Sequence, residues 1–133
     1  MSEENLNNNP RIVVIQKLYS YFLNKESEII YPKHRYKKFI KDTVSGTIER
    51  EELLLEKVQE ILKDEFNPSR TDLILKLMIL SATFELMFVH KTPLNVIVSE
   101  YVKISDFFLE TAHKGYLNAV LDKISKNVRK DNE

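Results

Sequence analysis

One stretch of the chain, residues 73–89, limits the possible folds more than any other feature. Its sequence, LILKLMILSATFELMFV, is apolar on almost every face of the helix that its length predicts. Only Lys76 and Glu85 interrupt it, and because a charge is costly at the depth of a bilayer, a membrane span is disfavoured. A helix that is apolar all round must be covered all round. The sequence therefore predicts a central helix surrounded by other helices of the same domain.

Local signals mark where this helix and the next one begin. Ser69 is predicted to cap the central helix, with Asp72 three residues on reaching back as in a capping box. Thr92 and Pro93 repeat the signal, with Thr92 as the cap and Pro93 at the first helical position. Glu85 is a lone carboxylate among apolar residues, so it is predicted to pair with a neighbouring base or a helix end.

The rest of the chain supplies the covering helices. With 2 Gly and 4 Pro among 133 residues, the composition favours few turns and long helices. Apolar periodicity predicts helices over 11–24, 33 to about 47, 49–62, 94–108 and 116 to about 128, with a break at 111–115. Ser45 and Gly46 are predicted either to end the second of these helices or to let another helix approach closely.

Together these segments predict an all-α fold, a compact single-domain helical bundle of about six to seven helices. Residues 11–128 are predicted to form the domain. Residues 1–10 are expected to be a flexible N-terminal arm, and residues 129–133 a charged tail that frays.

Residues that catalyse reactions or bind metals are scarce and scattered. The chain has no cysteine, which excludes disulfides, cysteine-ligated zinc and thiol catalysis and suits a reducing compartment. His34, His90 and His113 lie in separate segments, without partners at metal-ligand spacing, and two isolated glycines cannot form a phosphate-binding loop. The N-terminus has no signal-peptide pattern. We therefore expect a cytoplasmic protein that is not an enzyme, with no metal site and no cofactor.

Charge is balanced over the whole chain but concentrated locally. The 20 basic and 20 acidic residues give a net charge of zero, whereas a general nucleic-acid binder is usually basic. Basic residues crowd positions 33–41 and 123–130, where each cluster is either a solvated helix face or a local anion contact. Tyr19 and Tyr116 carry rings that can stack on bases or belong to the core. The residues alone therefore indicate a helical binding domain.

Four short blocks resemble a known family. Residues 80–86 (LSATFEL) resemble the segment of the NusB family that ends in aromatic-Glu-Leu, and residues 92–102 (TPLNVIVSEYV) resemble its P-x-x-V-x-I-N-E-x-V stretch. Residues 116–123 (YLNAVLDK) resemble its F-V-N-G-V-L-D-K ending, and residues 16–20 (QKLYS) resemble Q-A-L-Y-S in its first helix. The blocks follow the order and spacing of the family, while residues 25–75 match by helical pattern only.

The resemblance implies a function that composition does not show. NusB proteins pair with a small ribosomal-subunit protein, NusE, and the pair binds boxA, a single-stranded element of nascent RNA. This assembly joins an RNA polymerase antitermination complex, notably on ribosomal RNA operons, and catalyses no reaction. A partner that supplies part of the RNA surface explains how a neutral chain can serve. No membrane association is implied, and a homodimer is left open.

Carried over by position, the family's RNA surface combines the start of the first helix with the start of the last. In the first helix, Arg11 is expected to contact a phosphate. Gln16 and Tyr19 lie about one turn apart and are expected to offer a hydrogen bond and a stacking or hydroxyl contact.

In the last helix, Tyr116 takes the place of the family's Phe and is expected to stack on a base, with Lys114 and Asn118 beside it. Two alternatives stay open. Tyr116 can belong to the core instead, and Asn118 can cap or tie the last helix to its neighbours.

The chain also departs from the family pattern. Residues 7–10 (NNNP) stand where the family has an arginine-rich segment, Ser99 replaces a usual Asn, and Gly115 replaces a frequent Lys. The missing arginines predict weak intrinsic RNA affinity, unless the cluster at 33–41 compensates. Two rival functions remain. One is the detached RNA-binding domain of a ribosomal RNA cytosine methyltransferase, although the sequence includes no S-adenosylmethionine-binding domain. The other is a helical protein-binding adaptor that does not bind RNA, which the neutral charge favours.

Overall fold

Six α-helices span most of residues 8–129, the part of the chain that the computed structural model describes. They are α1 (Pro10–Leu23), α2 (Lys37–Glu49), α3 (Glu51–Leu62), α4 (Leu73–Phe88), α5 (Leu94–Phe108) and α6 (Thr111–Val128), with a 3-10 turn at Lys63–Glu65. No strand occurs among the described residues. The prediction of an all-α bundle is confirmed.

Helix α4 is the centre of the bundle, as its sequence predicts. Each of the other five helices contacts it, and every residue from 77 to 86 is buried. Because α4 is apolar all round, it buries apolar surface on every side, and each Å² buried stabilises the fold by roughly 25 cal/mol. Within residues 8–129, no helix combines the length and apolarity needed to cross a membrane.

The first helix begins inside the predicted arm. The Asn9 side chain accepts hydrogen bonds from the backbone N–H groups of Arg11 and Ile12, and Pro10 occupies the first turn, where its missing N–H costs nothing. Asn9 is therefore the N-cap of α1, and Pro10 is its first residue. The rest of the predicted arm up to residue 7, and residues 130–133 of the predicted tail, lie outside the described residues.

Arg129, the first residue of the predicted tail, does not fray. Its side chain is buried and donates hydrogen bonds to the backbone carbonyls of Leu86 (2.8 Å), Val89 (2.8 Å) and Glu85 (3.2 Å) at the end of α4, and to that of Thr92 (2.5 Å). The carbonyl of Leu86 lies in the last turn, where carbonyls lack a partner within the helix, while those of Glu85 and Val89 also accept backbone N–H groups from Val89 and Thr92. The guanidinium of Arg129 therefore caps the C-terminus of the central helix.

Gly46 explains how α2 and α4 come close. It lies within α2, is buried, and faces the ring of Phe84 so closely that a Cβ atom there would overlap the ring. Of the two roles predicted for Ser45 and Gly46, close helix approach is therefore correct, and α2 continues to Glu49.

The predicted helix caps need correction. Asp72 itself is the N-cap of α4, where its carboxylate accepts a hydrogen bond from the backbone N–H of Leu75. Ser69 instead donates its hydroxyl to the side chain of Asn67 in the preceding loop. The N-cap of α5 is Pro93 rather than Thr92, and α5 begins one residue after it.

Two predicted helix starts are also wrong. Helix α2 begins at Lys37, four positions later than predicted, because residues 34–37 form a turn in which the backbone N–H of Tyr36 also donates to Nδ1 of His34. Helix α6 begins at Thr111 and continues through Gly115, so the predicted break at 111–115 does not exist. A glycine costs a helix only about 1 kcal/mol, which packing against the rest of the bundle overrides.

Candidate nucleic-acid interface

A buried polar cluster of Arg11, Ser81, Glu85 and Tyr101 joins the first, fourth and fifth helices. The guanidinium of Arg11 donates to both carboxylate oxygens of Glu85, at 3.0 and 2.6 Å. The Tyr101 hydroxyl donates to Glu85 at 2.5 Å and lies 2.6 Å from the hydroxyl of Ser81. Glu85 is fully buried and the Arg11 side chain is 10% exposed. The predicted pairing of Glu85 with a neighbouring base is confirmed.

The environment of this cluster favours a charged Arg11 and a neutral Tyr101. Burial opposes the charge of Arg11, but the hydrogen bond and Coulomb attraction of Glu85 outweigh it, so the pKa of the guanidinium is raised. Burial, followed by repulsion from Glu85, raises the pKa of the Tyr101 hydroxyl well above 10. The Arg11 guanidinium also lies over the ring of Phe39, 4.8 Å from its centroid.

Arg11 is therefore inside the bundle and not on a surface. The sequence predicts that it contacts a phosphate, but its donors face Glu85 and its side chain is almost covered. The Glu100 carboxylate, 3.9 Å away at the rim, is a second acidic neighbour that would repel a phosphate. Arg11 is thus a structural residue, and the first exposed position of α1 is Gln16.

Beyond this buried start, α1 presents the other two predicted residues. Gln16 is exposed, while Tyr19 is half-buried and its ring packs against the hydrophobic core. Their spacing of three places them on adjacent parts of the helix surface. Gln16 is therefore free to form a new contact, and Tyr19 offers only its outer edge.

On α6, Lys114 and Asn118 share a face, and Tyr116 lies on another. Lys114 forms an ion pair with Asp106 at the end of α5, and Asn118 lines a groove of about 320 Å³ between α5 and α6. Tyr116 lies two residues after Lys114, which corresponds to a rotation of roughly 200° around the helix, so its side chain is turned away from that groove. The predicted trio therefore faces two sides of α6.

The ring of Tyr116 is anchored to the turn after α3. Its hydroxyl donates to the backbone carbonyl of Glu65 at 2.7 Å, and burial, together with repulsion from Glu65, raises the pKa of the hydroxyl. The ring is half-buried against the hydrophobic core. The structure thus gives Tyr116 a packing role, the alternative left open by the sequence, while part of the ring stays accessible.

The predicted residues of α1 and α6 are not brought together. The two helices do not contact each other, and both pack on α4. The groove between α5 and α6 is instead lined by polar side chains from both helices that the sequence did not single out, among them Asn95 and Ser99. Ser99, which departs from the family pattern, thus faces Asn118 across a groove.

The two basic clusters differ in how far their charge is neutralised. In the C-terminal cluster, Lys123 pairs with Glu65, Lys126 pairs with Asp122, and Arg129 is buried. In the cluster at 33–41, Lys38 pairs with Asp42 at 2.7 Å, Arg35 lies beside the exposed ring of Tyr36, and Lys41 lies beside the partly exposed ring of Tyr31. Within residues 8–129, no three side chains of the metal-binding types converge on a common point.

Comparison with known proteins identifies the family. The model of the NusB family matches residues 7–126, which is nearly the whole chain. The chain belongs to the NusB family. This membership confirms the resemblance seen in the four short blocks.

Three relatives of this chain carry the name transcription antitermination protein NusB. That of Rhodopseudomonas palustris (strain HaA2) is 33% identical over 93 residues, covering 70% of this chain and 55% of its own. That of Mesorhizobium japonicum is 30% identical over 110 residues, covering 83% and 71%. That of Rhizobium meliloti (strain 1021) is 29% identical and covers 91% and 86%. The matched part of this chain thus spans about half the length of the Rhodopseudomonas relative.

A solved structure agrees with the NusB architecture. T. maritima NusB matches with a TM-score of 0.79 and 18% sequence identity, covering 90% of this chain and 89% of its own. At that identity the likeness concerns the fold. Family membership and fold together establish a NusB-type helical protein of the transcription antitermination family.

Proposed function

We propose that this chain acts in transcription antitermination by binding boxA-type single-stranded RNA together with a small ribosomal-subunit protein of the NusE type. The proposal includes action within an RNA polymerase complex on ribosomal RNA operons, in the cytoplasm and without catalysis. The observation that carries it is the NusB family match over residues 7–126. Relatives named as transcription antitermination proteins support it.

The proposed RNA surface consists of the exposed side of α1 and the groove between α5 and α6. Gln16 on α1 and Asn118 in the groove are exposed amides, and an amide can donate to and accept from one base edge. Lys114 adds a cation on the same side of α6 as Asn118. The accessible part of the Tyr116 ring extends the surface around α6, and the outer edge of Tyr19 extends it along α1.

The charge of the chain makes a partner part of the proposal. A net charge of zero provides little general attraction for phosphates, and the buried Arg11 contributes none of it. A ribosomal protein bound beside the chain would supply the missing positive charge and a second contact area, which raises affinity through effective concentration. Weak binding by the chain alone and strong binding by the pair are therefore expected.

The test is the affinity of labelled boxA-type RNA for the chain, with and without the NusE-type partner, at several salt concentrations. The variants are Gln16→Ala and Asn118→Ala, with Gln59→Ala on α3 as a control that also removes an exposed amide. We expect the partner to strengthen binding, and each test variant to weaken it by about 1 kcal/mol or more, since a base-edge hydrogen bond is lost. The control should leave affinity unchanged.

One result would overturn the proposal: no strengthening by the partner and no preference for boxA over a scrambled RNA. The chain would then be a helical adaptor that binds protein and not RNA.

A further inference from the structure

A cavity beside the basic cluster combines cations with aromatic rings. It has a volume of about 450 Å³, within the range of small-ligand sites, and lies between α2 and the end of α4. We call it the aromatic–basic pocket. Its exposed cationic and aromatic lining residues are Arg35, Tyr36, Lys38, Phe88 and Lys91.

We propose that the aromatic–basic pocket binds a nucleotide of single-stranded RNA, with its base on the rings of Tyr36 and Phe88 and its phosphates beside Arg35 and Lys91. The inference rests on the proposed function, to which it adds a contact site away from α1 and α6. In this inference, the cluster at 33–41 supplies RNA-binding charge that the missing N-terminal arginines do not.

Exposure of the two rings is the first support. Tyr36 is 45% exposed and Phe88 is 42% exposed, although both rings are large enough to be buried in a helical core. Phe88 is also held in place, because its ring lies 5.5 Å from that of Phe84 and under the guanidinium of Arg50, at 4.8 Å. A fixed, exposed ring is a surface on which a base can stack.

The charge of the lining is the second support, because it favours an anionic RNA over an apolar partner that has no acidic groups. Among the lining residues, Arg35, Lys38 and Lys91 are cationic and only Asp42 is anionic. A smaller pocket along α2 continues the basic surface, with Lys37 and Lys41 beside the Lys38–Asp42 pair. Stacking rings inside a positively charged track are the combination that holds single-stranded nucleic acid.

The pocket is also preformed. Besides the contacts of Phe88, the backbone of Tyr36 is fixed by its hydrogen bond to His34, and the Arg35 guanidinium lies 5.4 Å from the Tyr36 ring. A base entering the pocket therefore meets a Phe88 ring that Phe84 and Arg50 already hold and a Tyr36 whose backbone is fixed, which lowers the entropic cost of binding.

The first experiment uses a fluorescent reporter in the full chain. The protein has no tryptophan, so Phe88→Trp places the only indole at the pocket. The probes are a boxA-type RNA, the same RNA extended on both sides by uridine tracts, and an acidic peptide of glutamates. We expect quenching of the indole by the extended RNA, since a base stacks on it. Quenching by the acidic peptide and not by RNA would overturn the inference.

The second experiment measures affinity for the extended RNA against salt. Arg35→Gln with Lys91→Gln should reduce the salt slope by about 1.4, since each phosphate contact on a single strand contributes about 0.7. Tyr36→Ala should weaken binding about fivefold or more. Lys57→Gln, on α3 and outside the pocket, is the matched control. It removes only a weak surface ion pair with Glu60, so it should change stability little.

The two proposals fail in different ways. Preference for boxA with an unchanged salt slope in the double variant and no quenching would overturn the pocket alone. No preference for boxA together with no strengthening by the partner would overturn the proposed function, while quenching by the extended RNA would still support the pocket.

Discussion

Breaking the buried pair of Arg11 and Glu85 should cost the fold a large part of its stability. Arg11→Met removes the guanidinium and leaves a fully buried carboxylate with the Tyr101 hydroxyl as its donor. Removing one partner of such a pair costs about 3–5 kcal/mol, and we expect the lower end because Tyr101 remains. Since a domain of this size is stable by roughly 5–15 kcal/mol, the loss is a large fraction of the total.

The assay is denaturant unfolding followed by helical circular dichroism, on Arg11→Met, Glu85→Met and the double variant. The double variant should recover most of the loss, because replacing both partners leaves no charge unpaired and Tyr101 keeps Ser81 as its partner. The reasoning would be refuted by an Arg11→Met variant within about 1 kcal/mol of wild type that binds RNA more weakly, since Arg11 would then face the RNA.

Three further predictions concern stability. Tyr101→Phe should be less stable than wild type at neutral pH. Because the pKa of Tyr101 is higher in the folded than in the unfolded chain, its contribution to stability is complete below pH 10 and falls as pH rises towards the folded pKa. The difference in free energy of unfolding between wild type and Tyr101→Phe should therefore narrow by up to about 1.4 kcal/mol per pH unit above 10. A constant difference in denaturant unfolding between about pH 8 and 11 would contradict this. Gly46→Ala should destabilise by about 1 kcal/mol or more through overlap with Phe84, whereas Gly115→Ala, with open space around it, should stabilise by about 0.5–1 kcal/mol; thermal melts with the same sign for both would contradict this. Arg129→Ala should cost at least about 2 kcal/mol, because several carbonyls at the end of α4 lose a charged donor, and an unchanged unfolding midpoint would count against the capping role.

The architecture was predictable because it follows from local patterns. The apolar stretch at 73–89 requires cover on all sides, and the structure surrounds α4 with five helices. The lone Glu85 predicts a buried pair because an unpaired carboxylate is too costly there. The helix starts predicted at 33 and 116 were wrong, because the observed starts at Lys37 and Thr111 depend on turns and packing that outweigh propensities of about 1 kcal/mol per residue.

The candidate site was less predictable because it depends on distant residues meeting. Nothing near Arg11 in the sequence indicates that its partner is Glu85, so a phosphate contact and a buried pair were equally compatible with its position. The aromatic–basic pocket likewise needs Phe88 and Lys91 to meet the turn before α2. In the sequence, only the density of cations at 33–41 points to this pocket, and it indicates the residues before and within α2 but not those at the end of α4.

The capping of α4 by Arg129 has a consequence for synthesis on the ribosome. Chains emerge N-terminus first, and domains fold as units once enough of the chain is available. Helix α4 is apolar on all faces, but two of its neighbours and the cap at its end come from the chain beyond Leu94. Until those residues emerge, the nascent chain exposes apolar surface of α4 and leaves the C-terminus of this helix uncapped. The ribosome-bound intermediate is therefore expected to be a substrate for chaperones, and translation that stops before Arg129 should yield aggregation-prone product rather than a smaller folded domain.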